Sequence, residues 1–308
     1  MKILSCITRL DELIELKKAG ADEIYFAYNA IPNYANTGMF YNLIDVRKLI
    51  KLSHNLKMKV HLAANEINLS DSTNTFLTII ANIRKIINFG IDGIIVSDIG
   101  LLKRIKSEFN NIPVHLSSLN PVFNLNSLKF FYDSFKISRV ILPNQLSALE
   151  AKNIINFAKK NNIETEIFFY KFFGCPYING FCMMHTDAYL KRIVKSEDGL
   201  CRAGLGLKPA KIQPFNIAKR MSIPKELMSR VSYRVSFGGS PRVLNRASFF
   251  DYYVLGIDYL KYGTRTDPTE KRIHSVKMMK KVINLIEKLL NKYDDTEKAR
   301  EFFLKIDI

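Results

Sequence analysis

The chain has 308 residues, 47% of them hydrophobic and 24% charged, enough for a well-buried core and for one α/β barrel of about 250 residues with a loop insertion and a tail. The 46 Lys+Arg outnumber 29 Asp+Glu, for a net charge of +17, but the lysines are scattered, so solvated faces explain the excess more simply than a nucleic-acid surface does. No window reaches the roughly 18 uninterrupted apolar residues of a membrane span, and charge returns at Arg9 with no small-residue cleavage site before it, so the expectation is a soluble, cytoplasmic protein.

Short strand-like runs alternate with helix-like periodic stretches, the pattern of βα units around a parallel sheet. Strands are predicted at Lys2–Ile7, Glu23–Ala27, Lys59–Ala64, Gly93–Ser97, Val114–Ser117, Arg139–Leu142, Thr165–Tyr170 and Tyr259–Gly263. Helices are predicted at Leu10–Ala19, with Gly20 as its stop, at Leu43–Leu56, and from an Asp71 or Ser72 cap to about Phe89, with Gly90 at its end. Further helices are expected at Leu101–Phe109, Phe123–Phe135, Ala148–Lys160 and, after Pro268, Thr269–Lys292. The loop Tyr28–Tyr41 is long and rich in Asn, Gly and aromatics, which suggests function. Leu207–Ser248, punctuated by Pro209, Pro214, Pro224 and Pro241, reads as an irregular insertion, and Tyr293–Ile308 as a short helix or a tail. Eight such units favour a (β/α)8 TIM-type barrel, fully or imperfectly closed, as a single domain over residues 1–292 with 293–308 appended. No Gly-rich dinucleotide fingerprint follows a strand, so a Rossmann reading lacks its phosphate loop.

In such a barrel, chemistry sits at the carboxyl ends of the strands. Those ends carry Cys6, then Tyr28 and Asn29, Asn65 and Glu66, Asp98, then Ser117, Ser118 and Asn120, Asn144 and Gln145, and finally Lys261 and Arg265. After the seventh strand a long loop holds three of the four cysteines: Cys175, then Cys182 after six residues, then Cys201 after eighteen more. Four cysteines in a cytoplasmic chain of this length do not make a disulfide framework, and the spacing is not that of a zinc knuckle. Thiolates from a long loop can wrap a larger inorganic core, and iron–sulfur clusters take four of them. Cys6 is the one remaining candidate for a fourth thiolate, and a buried strand cysteine is an equal alternative; an open iron or His185 is the other way to complete the set. His61 and His115 lie inside strands and read more simply as satisfied histidines than as a metal site with Asp98 or Glu66. The run Lys271–Lys281 alternates with apolar residues at helical spacing and reads as the wet face of an amphipathic helix.

Seven segments stand out together: Gly20–Tyr25 (GADEIY), Gly90–Gly100 (GIDGIIVSDIG), Val114–Asn120 (VHLSSLN), Arg139–Leu146 (RVILPNQL), the C-x6-C of Cys175 and Cys182, Gly199–Arg202 (GLCR) and Gly256–Arg265 (GIDYLKYGTR). As an ordered set they resemble peptidase family U32. The resemblance implies a barrel and one of several activities: collagenase-like proteolysis, oxygen-independent hydroxylation of a quinone precursor, or hydroxylation of an RNA pyrimidine. It also implies a [4Fe–4S] cluster on cysteines of the long loop. The chain departs from the family pattern at Asn144-Gln145, where the family has Arg-Glu, and no cysteine follows Cys201.

The leading expectation is an iron–sulfur hydroxylase-type enzyme acting on an RNA base or an aromatic precursor. Its cluster would be held by Cys175, Cys182, Cys201 and Cys6, and Asp98, Asn65 and Lys261 or Arg265 would position polar substrate groups, Arg suiting a carboxylate or phosphate. The alternatives are a metal-dependent peptidase using Glu66, Asp98 and His115, and a non-enzymatic RNA-binding or assembly subunit. A partner subunit of the same family is a further expectation.

Overall fold

The computed structural model describes residues 1–34, 38–66, 69, 73–169 and 245–307. Eight parallel strands close into a barrel in sequence order: β1 (Lys2–Cys6), β2 (Glu23–Ala27), β3 (Lys59–Ala64), β4 (Gly93–Val96), β5 (Val114–Leu116), β6 (Arg139–Ile141), β7 (Glu164–Phe168) and β8 (Tyr259–Tyr262), with β8 pairing back onto β1. The helices are α1 (Leu13–Ala19, preceded by a 3-10 turn at Leu10–Glu12), α2 (Leu43–Asn55), α3 (Thr73–Ile87), α4 (Ile99–Glu108), α5 (Leu125–Phe135), α6 (Ala148–Lys160), α7 (Arg246–Val254), α8 (Thr269–Lys292) and α9 (Thr296–Lys305). The fold is a (β/α)8 barrel.

Local chemistry starts and stops these elements. Asn42, Asp98, Asn124 and Ser147 each accept a backbone N–H in the first turn of the helix that follows, and Ser147 with Glu150 forms a full capping box. At the amino-terminal face one device occurs three times. Gly20, Gly90 and Gly256 adopt φ of 108°, 95° and 77°, which a side chain disfavours, and each turns the chain out of a helix. Two residues later an aspartate bonds the neighbouring strand: Asp22 accepts from Ile3 N, Asp92 from Val60 N and Asp258 from Thr165 N, each at 2.8 Å. The Gly-x-Asp triplets at Gly20, Gly90 and Gly256 therefore start strands β2, β4 and β8 by clamping them to a neighbouring strand.

Between strands and helices lies an apolar shell. Ile24, Phe26, Leu62, Ile94, Val140 and Leu260 are fully buried there, against helix residues such as Leu49, Ile83, Leu102, Ile154 and Val276. Several boundaries differ from expectation by a residue or two: β7 spans Glu164–Phe168 instead of Thr165–Tyr170, and β4, β5 and β6 each end one residue early. The helix α7 was not legible. Its Asn245 cap and first residues fall at the end of the expected irregular insertion, and it buries Ser248, Phe249, Phe250 and Tyr252 on more than one side, so it has no amphipathic period to read. The end of the chain is a docked helix: Ala299 and Phe303 of α9 are fully buried, Phe303 lies 5.5 Å from the Phe250 ring, and Arg300 Nε pairs with Asp251 Oδ1 at 2.6 Å. The loop from Tyr170 through the remainder of the expected insertion, and the Asp71/Ser72 cap, lie outside the described residues.

Candidate functional site

Register decides what faces the lumen. Residues paired across parallel strands point to the same face, so the pairs Leu4↔Glu23, Cys6↔Tyr25, Tyr25↔His61, His115↔Arg139, Arg139↔Glu164, Glu166↔Tyr259 and Phe168↔Lys261 form one inward-facing set. Barrel interiors are ordinarily filled by branched apolar side chains. This one carries a network of charged side chains among its apolar ones. Arg139 spans the barrel from β6 to β2, donating from Nη2 to Glu23 Oε2 at 2.9 Å and from Nη1 to Glu166 Oε2 at 3.1 Å, and its Nε reaches Glu164 Oε2 at 2.9 Å. Its guanidinium lies 3.5 Å over the ring of Tyr259, whose hydroxyl donates to Glu23 Oε1 at 2.7 Å. Deeper toward the mouth, Lys261 Nζ stands 2.9 Å from Glu166 Oε1, an ion pair without hydrogen-bond alignment, and 4.5 Å from the Tyr25 ring.

The charges set one another. Burial works against ionising Glu23, but the His61 hydrogen bond, the His61 charge and Arg139 outweigh it and hold the carboxyl at about 2. With Glu23 ionised, the proton of the 2.8 Å His61 Nε2–Glu23 Oε2 contact lies on the imidazole. His115, 4.5 Å from His61 ring to ring, is pushed well below the usual histidine range by burial and by Arg139, His61 and Lys261, and is neutral. Gly93 makes room for the pair: a Cβ there would lie 3.0 Å from His61 Nδ1 and 3.1 Å from His115 Nε2. Burial also pulls Lys261 down, against the opposing pull of Glu166.

Above this network, at the β1–β8 side of the mouth, lies Cys6. It is fully buried and on the inward face, and Arg272 Nη1 of α8 approaches its Sγ at 3.9 Å. Arg272 is anchored by Glu12 Oε1 at 2.9 Å and Thr8 Oγ1 at 3.0 Å, and it donates to the carbonyl of Arg265 at 3.3 Å. Burial raises the Cys6 thiol, while Arg272 and Arg265 favour its thiolate. Arg265 itself is buried, donating to Asn33 Oδ1 at 2.6 Å and to the carbonyl of Tyr34, so it ties the long loop after β2 to the end of β8. No carboxylate pairs with it among the described residues.

The other expected residues lie across the mouth. Asn65 Oδ1 accepts from Tyr34 N at 3.3 Å, which fixes the same β2 loop from the β3 side. Asp98 is half-buried as the cap of α4: Oδ1 accepts from Leu101 N at 2.7 Å, and Oδ2 has no hydrogen bond among the described residues. The structure thus groups Cys6, Lys261 and Arg265 on one arc and sets Asn65 and Asp98 on the opposite one. His115 is in the lumen, apart from Glu66 and Asp98; among the described residues no group of three or more His, Cys, Asp or Glu is placed to hold a metal. Cys175, Cys182, Cys201 and His185 lie outside the described residues. Around the rim, Tyr41, Ile44, Ile99, Phe123 and Leu149 stand exposed near the amino-terminal ends of α2, α4, α5 and α6.

The sequence reading missed Glu23, Arg139, Glu164, Glu166 and Tyr259. The signal was present: strands buried on both faces are near-continuous apolar runs, and EIY, RVI, ETEIF and YLK instead each carry at least one charged residue, with two at alternate positions in ETEIF.

The model for Peptidase family U32 matches residues 8–203, more than half of the chain. The chain belongs to peptidase family U32. The tRNA hydroxylation protein P of Escherichia coli (strain K12) is 27% identical over 167 residues, which are 52% of this chain and 35% of that protein. The protein of the same name from Haemophilus influenzae (strain ATCC 51907 / DSM 11121 / KW20 / Rd) is 28% identical over the same shares of the two chains. The chain thus spans about a third of the length of the curated relatives it matches. The solved structure of the U32 peptidase Mk0906 shares the fold, with a TM-score of 0.52 at 9% identity over 86% of this chain and 93% of that one. The U32 match begins after Cys6 and ends before Lys261 and Arg265, so their assignment rests on barrel geometry. Among the described residues no helix is long and apolar enough to cross a membrane.

Proposed function

We propose that this U32 protein is an RNA-modifying enzyme of the hydroxylating kind, taking an unpaired tRNA base at the carboxyl end of the barrel. The observation that carries the reading is the likeness to the two tRNA hydroxylation proteins over 52% of the chain. The chemistry of the mouth supports it. Exposed Tyr41 and Phe123 offer rings on which unpaired bases stack, and Arg265 is a buried cation whose described partners are all neutral, suited to a phosphate or another anion.

A [4Fe–4S] cluster on Cys175, Cys182, Cys201 and Cys6 is part of the proposal. Cys6 fits such a role: it is on the inward face, and Arg272 and Arg265 would offset the charge of a thiolate ligand. When bound, the cluster supplies one-electron transfer. The protein's own residues do the rest. Asn65 and Arg265 hold the β2 loop in place over the mouth, Asp98 presents its second oxygen to a polar group of the base, and Lys261 with Glu166 supplies a fixed dipole beneath it.

Two measurements test this. Protein prepared without oxygen is expected to retain iron and to absorb broadly in the visible, with both lost in Cys6→Ser; colourless, iron-free wild-type protein sinks the cluster. Bulk tRNA from a hydroxylation-deficient host expressing the protein is expected to contain a nucleoside heavier by one oxygen atom. If no such nucleoside is found while iron is retained, the RNA assignment fails and the cluster stands.

A further inference from the structure

Helix α8 carries seven basic residues against two acidic ones, the largest excess of any described helix. Lys277, Lys280, Lys281 and Lys288 line a groove of about 500 Å³ on the barrel flank, with Asn284 and Leu285 beside them and Ala19 and Asp307 among the opposing residues. Among the described residues no carboxylate lies within ion-pair distance of any of the four. Lys18, Lys271 and Lys305 nearby are engaged, with Glu15, Asp267 and Glu301. Glu287, the one acid in this half of the helix, accepts from Tyr253 of α7. The lysines span about 16 Å along the helix at 1.5 Å per residue. A row of unpaired ammonium groups in a groove is a poor catalytic site and a good electrostatic one: it releases condensed counterions from a polyanion without reading its sequence.

We propose that this groove is a docking surface for the phosphate backbone of a structured RNA, separate from the barrel mouth. It rests on the RNA-modifying reading only for the identity of the polyanion. Docking on the flank fixes the orientation of the RNA, and the mouth receives the base.

The test is binding of an unmodified tRNA transcript to the full chain across a salt series. The triple variant Lys277→Glu, Lys281→Glu, Lys288→Glu is compared with an equal charge reversal elsewhere, Lys48→Glu, Lys51→Glu, Lys85→Glu. All six lysines are exposed, so thermal melts should match the wild type. At about 0.1 M salt the α8 variant is expected to bind at least ten times more weakly, with a log–log salt slope shallower by about two to three; the control should move less than threefold. Equal weakening by both variants reduces the effect to net charge and overturns the dock, as does poly-glutamate competing as well as tRNA, which would indicate an acidic protein partner. If the α8 variant binds and hydroxylates tRNA like the wild type, the dock falls and the proposed function stands. Salt-sensitive, α8-dependent tRNA binding with no hydroxylation does the reverse: the dock stands and the hydroxylating function falls.

Discussion

The lumen of the barrel and the shell around it are both largely buried and chemically opposite. The shell between strands and helices holds Ile24, Leu62, Ile94 and Val140, whose burial is worth about 25 cal/mol per Å² wherever the side chain finds neighbours. The lumen holds Glu23, Glu166, Arg139 and Lys261, for which burial is a cost recovered only when each charge meets its partner. The shell therefore tolerates change by degrees, and the lumen by whole interactions.

The largest expected effect follows from that contrast. Arg139→Met leaves Glu23 and Glu166 buried with a lost partner and is expected to cost about 3–5 kcal/mol in denaturant unfolding. A loss under about 1 kcal/mol would mean the carboxylates are hydrated and the lumen is not dry.

Acid should separate the two regions next. The Glu23 carboxyl sits at about 2 in the fold against an ordinary 4.5, so its contribution is present above about 4.5 and is lost as pH falls toward 2. The depressed His115 contributes with the same sign, fully above its ordinary 6.5 and progressively less below it. Urea midpoints are expected to fall as pH drops below 6.5, steepening below 4.5. Glu23→Gln should flatten the lower limb only, and an unchanged lower limb would remove Glu23 from the account.

Ile94→Val in the shell removes one methylene and is expected to cost about 0.5–1.5 kcal/mol with no change in pH profile. Smallest is the mouth. Asp98→Ala loses the α4 cap, about 1 kcal/mol, whereas Asp98→Asn keeps an acceptor oxygen for Leu101 N and should be nearly neutral in stability. Loss of the proposed tRNA hydroxylation in Asp98→Asn would separate the carboxylate from the cap; full activity would leave Asp98 as a cap alone.

Much of this architecture is local and was legible as such. Ser147 with Glu150 opens α6 at the expected residue, and Gly20 closes α1, because caps and stops are settled within a few residues of chain. Three segments by which the chain resembles its family, those beginning at Gly20, Gly90 and Gly256, carry the Gly-x-Asp strand clamps at the amino-terminal face, so part of that resemblance is a resemblance of fold. Of the candidate site, Cys6, Lys261 and Arg265 were singled out as strand-end groups, and the structure gathers them on one arc. Their partners were not foreseen: Arg272 lies 266 residues beyond Cys6, and Glu166, although inside the expected seventh strand, has its inward direction set only by pairing with β8.

What the order of residues determined alone is the alternation of eight strands with helices and most of their boundaries, since propensity, capping and periodicity act over a turn or a strand. Only closure of the barrel decided which alternate residues face the lumen, and so turned isolated charges on β2, β6, β7 and β8 into one network. A period of two says that neighbours face opposite ways; which way is inward is settled when β8 meets β1 and Arg139 finds Glu23 across the axis.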